Sequence, residues 1–449
     1  MKRLMTGAAF GLLFLSGLSF SAVSPEQAAQ LGKTLTPLGA EKAGNKDGTI
    51  PAWTGGLARN TGKVVDGYVE NPYAAEKPLF VIDAKNVDKY KDKLSPGQVG
   101  MLKRYPDTYR LPVYTTHRSA AVPDTIYKTA AENALTAKVV DVGLVDFKVA
   151  YPFPMPQTAL EVMWNHITRY RGPIQRYNSI QVTPEKNGDF IPVNFYREFG
   201  YRDQVKALQT PDTDNVFYFF KSVVTTPARL AGNVLLVHET LNQVQNPRLA
   251  WMYSGGQRRV RRAPQVAYDS PYTGAEGQRV SDNGDMFNGA MDRYDWKLVG
   301  KREMYIPYNA YSLMSPKLKY TDIVRPGHIN PDLTRYELHR VWEVEATLRP
   351  GERHIYAKRS YFIDEDTWQI VLADHYDGRG TLWRVGKGHL TELYDQQIPW
   401  LAVETLYDLL NGRYIASGMK NEDHNPMVFG GEAVSSEFTP SALRSTGIR

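Results

Sequence analysis

Between residues 179 and 417 apolar and polar side chains alternate with a period of two, broken at intervals by turn residues. This is the pattern of half-buried β-strands. The longest run is 335–348: Tyr336, Leu338, Arg340, Trp342, Val344, Ala346 and Leu348 share one face. Arg335, Glu337, His339, Val341, Glu343, Glu345 and Thr347 share the other. The same alternation predicts strands at 191–199, 216–226, 233–241, 249–253, 295–306, 355–363, 368–375 and 382–393. Asn187-Gly188, Gly232-Asn233, Gly255-Gly256, Asp377-Gly378 and Asn411-Gly412 supply the turns. Strands joined so tightly form an antiparallel meander, and a sheet of this many strands curls.

Upstream of about residue 175 the spacing is helical. Ser24-Pro25-Glu26-Gln27 is an N-cap pattern that predicts a helix to about Leu35. Ser95-Pro96-Gly97-Gln98 repeats it and predicts a helix through Arg104, and Pro123-Asp124 opens another to about Lys138. Leu160, Met163, Trp164 and Ile167 line one face of a helix within 157–170. Residues 39–62 read as an irregular arm. The expected fold is α+β and mainly β: a large curled antiparallel sheet, with helices packed on or closing its concave face.

The first residues carry an address. Met1-Lys2-Arg3 is followed by an apolar run from Leu4 to Leu18, a small-x-small site at Ser19-Phe20-Ser21, and no charge before Glu26. This predicts a cleavable signal peptide over 1–21 and a periplasmic protein, possessing no later span, that can sit peripheral to the outer membrane. A retained anchor is the rival reading. The expected organisation is an arm with helical segments over 22–150, forming one domain with the sheet and helices of 151–420, and a tail over 421–449.

Composition removes whole classes of chemistry. With no Cys there is no disulfide, thiolate metal site, iron–sulfur cluster or catalytic thiol. Lys and Arg number 54 against 48 Asp and Glu, too even a balance to imply nucleic acid. No nucleophile elbow, phosphate loop, dinucleotide fingerprint or HExxH is present, since His238-Glu239 is followed by Asn242 where a second His belongs. Asp282-Asn283-Gly284-Asp285 lacks the spacing of a calcium loop and reads as a solvated turn, and His375 reads as a strand-end residue. No catalytic residue, metal ligand or cofactor is expected.

Two features point to binding. Arg258-Arg259-Val260-Arg261-Arg262 follows a Gly-Gly turn, on a hairpin whose first strand carries Trp251 and Tyr253. Arg259 and Arg261 fall on one face and suit an anionic head group or an acidic partner, unless neighbouring carboxylates pair the run. The load of 28 Tyr, 16 Phe and 8 Trp fits either a packed core or the wall of a lipophilic cavity. Arg340 interrupts an apolar face, which directs the face of Tyr336, Leu338, Arg340, Trp342 and Val344 towards a cavity with a polar rim.

Several long stretches resemble a bacterial family of unknown function, commonly labelled outer membrane lipoprotein-sorting protein. They are LTPLGAEKAGN (35–45), DGTIPAWTGG (47–56), PRLAWMYSGGQRRVRRAP (247–264), DRYDWKLVGKREMYIPYN (292–309), the whole of 335–384, and FTPSALR (438–444). The resemblance implies a half-barrel similar to the Lol-type (LolA/LolB-like) lipoprotein carriers, with a hydrophobic cavity and no catalytic residues. It also implies traffic between an inner-membrane exporter and an outer-membrane protein. The resulting expectation is a non-enzymatic periplasmic carrier or chaperone for a lipid, acyl chain or lipoprotein. Its binding residues would be Trp251, Tyr253, Arg259, Arg261, Tyr336, Leu338, Arg340, Trp342 and Val344. The alternatives are an interaction module bridging a transporter and an outer-membrane protein, or a lipid or sterol hydrolase.

Overall fold

A strand with one apolar face must cover it, and this chain does so by adding strands edge to edge and laying other segments across them. The computed structural model describes residues 23–447, so the expected signal peptide over 1–21 lies outside the described residues. Short strands come first. β1 (Val64–Val65) pairs with β2 (Tyr68–Val69), β3 (Phe80–Ile82) with β4 (Leu111–Val113), and β5 (Lys138–Val140) with β6 (Gly143–Val145).

Two meanders then build one large sheet. The first is β7 (Ile174–Val182), β8 (Val193–Tyr201), β9 (Val216–Thr226), β10 (Val234–Thr240), β11 (Leu249–Ser254) and β12 (Arg259–Arg262). The second is β13 (Tyr294–Pro307), β14 (Tyr336–Leu348), β15 (Lys358–Asp364), β16 (Ile370–Tyr376), β17 (Leu382–Leu393), β18 (Ile398–Asp408) and β19 (Tyr414–Met419). With β3, β4 and β20 (Val428–Phe429) they make sixteen strands among the described residues. β19 pairs antiparallel with β7, Ala416 opposite Val182, so the first meander runs away from this seam and the second runs back to it. Among the described residues β12 pairs only with β11, which leaves the sheet open at that edge. The fold is therefore mainly β, one large antiparallel-rich sheet that does not close, with a few helices.

Three of the first four helices begin at the predicted caps, and sequence reasoning missed the Thr158 cap of the fourth. α1 (Pro25–Ala28) and α2 (Pro96–Arg104) start with complete capping boxes at Ser24 and Ser95, and α4 (Ala159–Thr168) with one at Thr158. α3 (Asp124–Thr136) follows Pro123. α1 stops well short of Leu35. Gly32 sits at a φ of +79°, a left-handed conformation that turns the chain, and Leu31 and Leu35 bridge across the turn.

The second meander is solidly filled. Val162 and Met163 of α4, Val344 of β14, Tyr361 and Ile363 of β15, and Trp368 pack into one cluster with Leu38 from the arm. Trp368 is fully buried and its Nε1 donates to the Leu38 carbonyl at 3.0 Å, so the arm is part of this core. The expected tail is also part of the fold. Phe438 and Leu443 are fully buried against Phe219, Leu236 and Tyr253, and the Phe438 carbonyl accepts from His238 at 2.7 Å. Together with Val205 and Leu208, these C-terminal side chains cover the apolar face of β9 to β11.

Candidate functional site

Between the meanders the chain crosses the sheet as residues 263–293, carrying short 3₁₀ turns at Pro264–Ala267 and Ser281–Met286. Polar side chains pin this crossing to the sheet and to α4. Asp285 is gripped by Arg169 and by Arg171, the latter at 2.5 Å. Burial alone would raise the Asp285 carboxyl, and the two guanidinium groups outweigh it and hold the group well below the usual carboxylate range. His166 of α4 meets the Asp285 carbonyl through Nε2 at 3.0 Å. Its Nδ1 accepts the Ile370 amide at 3.2 Å. Burial and the nearby Arg169 push its pKa down to about 3, so this ring is a neutral strut. Met286 N donates to Glu404 Oε1 at 3.1 Å, and Arg279 bridges Glu404 Oε2 at 3.2 Å and Ser417 Oγ at 3.1 Å.

Asp282 and Asn283 are deeply buried, which corrects the solvated-turn reading of this motif. Asp282 Oδ2 lies 2.6 Å from Arg359 and 3.0 Å from His354, and Asn283 Oδ1 accepts from Tyr356 OH at 3.0 Å. The acidic side chains serve as anchors for the crossing.

Pinned at these points, the crossing leaves two adjoining cavities against the first meander. Strand register dictates their walls, because i, i+2 residues share a face and paired residues stand side by side. Val237, Phe220, Phe199 and Gln175 form one transverse row, and all four line a cavity of about 150 Å³. Val224 and Phe195 belong to a parallel row further along, and with Val234, Met252 and Pro264 they line a cavity of about 330 Å³. Leu235, Val266, Tyr272 and Ser281 line both, so the two are one groove narrowed in the middle.

The smaller cavity is charged. Arg169, Arg171, Arg197, Arg248, Arg279 and Lys420 line it, against Glu239, Asp285 and Glu404. Burial is the main influence on Glu404 and raises its pKa in spite of Arg279. Arg248 pairs with Glu239 at 2.6 Å and reaches Asn288 Oδ1 at 2.8 Å. The larger cavity is walled mostly by apolar groups, and Arg262 is the one charged residue among its described lining.

The residues singled out from sequence lie elsewhere. Tyr336, Leu338, Arg340, Trp342 and Val344 do share one face of β14, but that face is filled core and lines neither cavity. Arg340 is tolerated there because it pairs with Glu365 at 3.4 Å and Glu41 at 3.5 Å, partners distant in sequence. Trp342 stacks on Trp368, ring centroids 6.0 Å apart. Trp342 is only half-buried, so Trp342→Ala is expected to cost about 2–3 kcal/mol of unfolding free energy and to leave the affinity of any cavity ligand unchanged. Denaturant unfolding and probe binding on one variant check both halves.

Trp251 and Tyr253 face the C-terminal segment, on the side of the sheet away from the cavities. Arg259 and Arg261 are exposed on the edge strand β12, opposite Ser254 and Met252. Arg258, Arg259, Arg261 and Arg262 make no ion pair with a described carboxylate, so the neighbouring acids do not neutralise this run. Arg262 instead lies over the Trp251 ring at 4.8 Å.

Sequence reasoning missed the cavity wall itself. Its signal was Phe195, Arg197, Phe199 and Tyr201 at period two, opposite Tyr218, Phe220 and Ser222. A second missed feature is a buried trio, His339, Asp364 and Asp366, whose ligand atoms lie within 4.8 Å of one another. Arg118 occupies both Asp366 oxygens, at 2.8 and 2.6 Å, and already supplies positive charge there. Burial, together with the Asp366 charge, raises Asp364 to about 7.

The family model described as Protein of unknown function (DUF1329) matches residues 81–444, and the chain belongs to that family. An uncharacterized protein of Pseudomonas aeruginosa is 60% identical over 451 residues, covering 100% of this chain and 99% of its own. A family member from Desulfovibrio piger has a crystal structure that is 14% identical, covers 61% of this chain and 92% of its own, and superposes with a TM-score of 0.42. A putative outer membrane lipoprotein-sorting protein domain from Vibrio parahaemolyticus is 12% identical, covers 64% and 98%, and gives 0.43. A LolA superfamily protein from Nitrosomonas europaea is 12% identical, covers 63% and 98%, and gives 0.37.

Proposed function

We propose that this member of the family is a non-enzymatic periplasmic carrier or chaperone, which binds a lipophilic molecule and passes it towards the outer membrane. The observation that carries the reading is the groove beneath the crossing. Its larger cavity, about 330 Å³ and mostly apolar, falls within the range of small-molecule sites, about 300–1,000 Å³. An acyl chain entering it gains about 0.8 kcal/mol for each methylene removed from water. The crossing is held by side-chain anchors at Asp282 and Asp285, so cargo could enter from the open edge at β12 without disturbing the solid second meander. The sequence resemblance supports lipid traffic involving an inner-membrane exporter and an outer-membrane protein as partners.

Three buried histidines are poor candidates for a hydrolase's general base. His166 and His389 are pushed by burial to about 3 and His375 well below its ordinary value, too low for a general base near neutral pH.

The test is mass spectrometry of lipids extracted from the protein purified natively, together with binding of a neutral fluorescent apolar probe. Leu235→Trp places an indole where the two cavities meet. It is expected to keep a folded protein and to lower probe affinity by at least about tenfold. A lipid-free native protein whose probe binding is unchanged by Leu235→Trp removes the carrier reading.

A further inference from the structure

The row that separates the two cavities is Leu235, Ser222, Arg197 and Tyr177, neighbours across four strands. Arg197 therefore stands on the cavity face between Phe199, in the charged cavity, and Phe195, in the apolar one. Every other cation lining the charged cavity has a carboxylate. Arg169 and Arg171 hold Asp285, Arg248 holds Glu239, Arg279 holds Glu404, and Lys420 holds Asp423. Arg197 has none within 4.0 Å among the described residues, and its Nε is buried without a hydrogen-bond partner. The Phe195 ring, 5.1 Å from the guanidinium, is a poor substitute for an anion.

Arg197 is partly buried with its Nε shut off from water, and a guanidinium so placed without a counter-charge is costly to the fold. An oxyanion repays that cost through charge-assisted, two-pronged hydrogen bonds. Resting on the carrier reading, we propose that Arg197 anchors the head group of an acidic amphiphile, a carboxylate or phosphate on a single apolar tail, with the tail in the larger cavity. The head enters the charged cavity beside Tyr177, and the tail runs past Leu235 and Ser222 to Phe195, Val224 and Met252. Glu404 does not compete for Arg197, since Arg279 and the Met286 amide already occupy its oxygens.

The experiment uses delipidated full-length protein and the neutral probe N-phenyl-1-naphthylamine, displaced in turn by dodecanoate, dodecyl phosphate, dodecanol and inorganic phosphate. In the wild type the two acids should displace the probe at lower concentration than dodecanol, and inorganic phosphate should not displace it. Arg197→Gln should weaken both acids by about tenfold or more while leaving dodecanol and the probe within about twofold. Arg197→Lys should recover part of the loss. Thermal unfolding should show Arg197→Gln as stable as the wild type or more so, because an unanswered charge has been removed. Equal weakening of acid and alcohol, no weakening, or a marked fall in stability would each overturn the assignment and make Arg197 a structural residue. Displacement by inorganic phosphate alone would make the site one for a free anion and overturn it too. Wild-type protein that binds neither probe nor any amphiphile removes the carrier reading and the anchor together, whereas binding without preference for the acids removes only the anchor.

Discussion

Arg359→Met is expected to lower the free energy of unfolding by about 3–5 kcal/mol at pH 7. Arg359 is wholly buried on β15, with its guanidinium 2.6 Å from Asp282, 3.0 Å from Tyr361 OH and 4.9 Å from the Tyr294 ring centre. The methionine fills similar space, so the loss comes from the Asp282 carboxylate left in the interior with only His354 to answer it. The pH dependence identifies that cause. In the wild type burial pushes the Asp282 carboxyl up, but Arg359 and His354 prevail and hold it below its ordinary value. Its contribution is present above the unfolded pKa, about 3.9, and is lost as pH falls through the folded one. In the variant the folded pKa lies above 3.9, so a penalty grows with pH instead. The deficit between the two proteins should therefore be largest near neutrality and shrink towards pH 4. Arg359→Met combined with Asp282→Asn should recover much of it. Urea unfolding of the three variants at pH 4.5 and 7 decides the matter, and a deficit that does not vary with pH would assign the loss to packing.

The second large effect concerns Lys387, fully buried on β17, where Nζ meets the hydroxyls of Tyr109 and Tyr336. Burial lowers its pKa from 10.5 to about 7. The unfolded chain keeps the proton up to pH 10 while the folded protein releases it near 7, so stability rises with pH in that window. The slope is about 1.4 kcal/mol per pH unit. Asp374, raised by burial to about 6, acts with the opposite sign in a lower window, between its ordinary value of 3.8 and about 6. Lys387→Met should abolish the rise between pH 7 and 9 and leave the variant the more stable protein at pH 6.5. Urea midpoints at those three pH values measure it, and an unchanged slope in the variant would mean that another group carries the titration.

What the sequence made legible follows from what alternation encodes. Period two identified β14 almost to the residue and placed Tyr336, Leu338, Trp342 and Val344 on one face. It carries no information about what lies opposite that face. Arg340 looked like a mark of a wet cavity because Glu41 and Glu365, its partners, are remote in the chain. The same blindness applied to Trp251 and Tyr253, whose shared face is real but is covered by Phe438 and Leu443. The groove was hidden because its roof, residues 263–293, has no regular pattern, and ion pairs to β-strands and α4 hold it in position. Capping chemistry was more explicit, since Ser24 with Gln27 and Ser95 with Gln98 act within four residues.

The seam between β7 and β19 also sets the order in which the molecule can assemble. Each meander consists of hairpins between sequence neighbours, which close quickly, but Val182 meets Ala416 only after nearly the whole chain is available. Closing so long a loop is slow, and proteins dominated by such pairings fold in milliseconds to seconds. A chain emerging from its N-terminus would carry β7 with one edge unpaired until β19 arrives, and β20 waits for the same strand. An exposed edge invites pairing with other chains. The seam is thus the point at which a general chaperone would protect this protein during synthesis, and where shortening its C-terminus would leave a soluble-looking meander prone to aggregate.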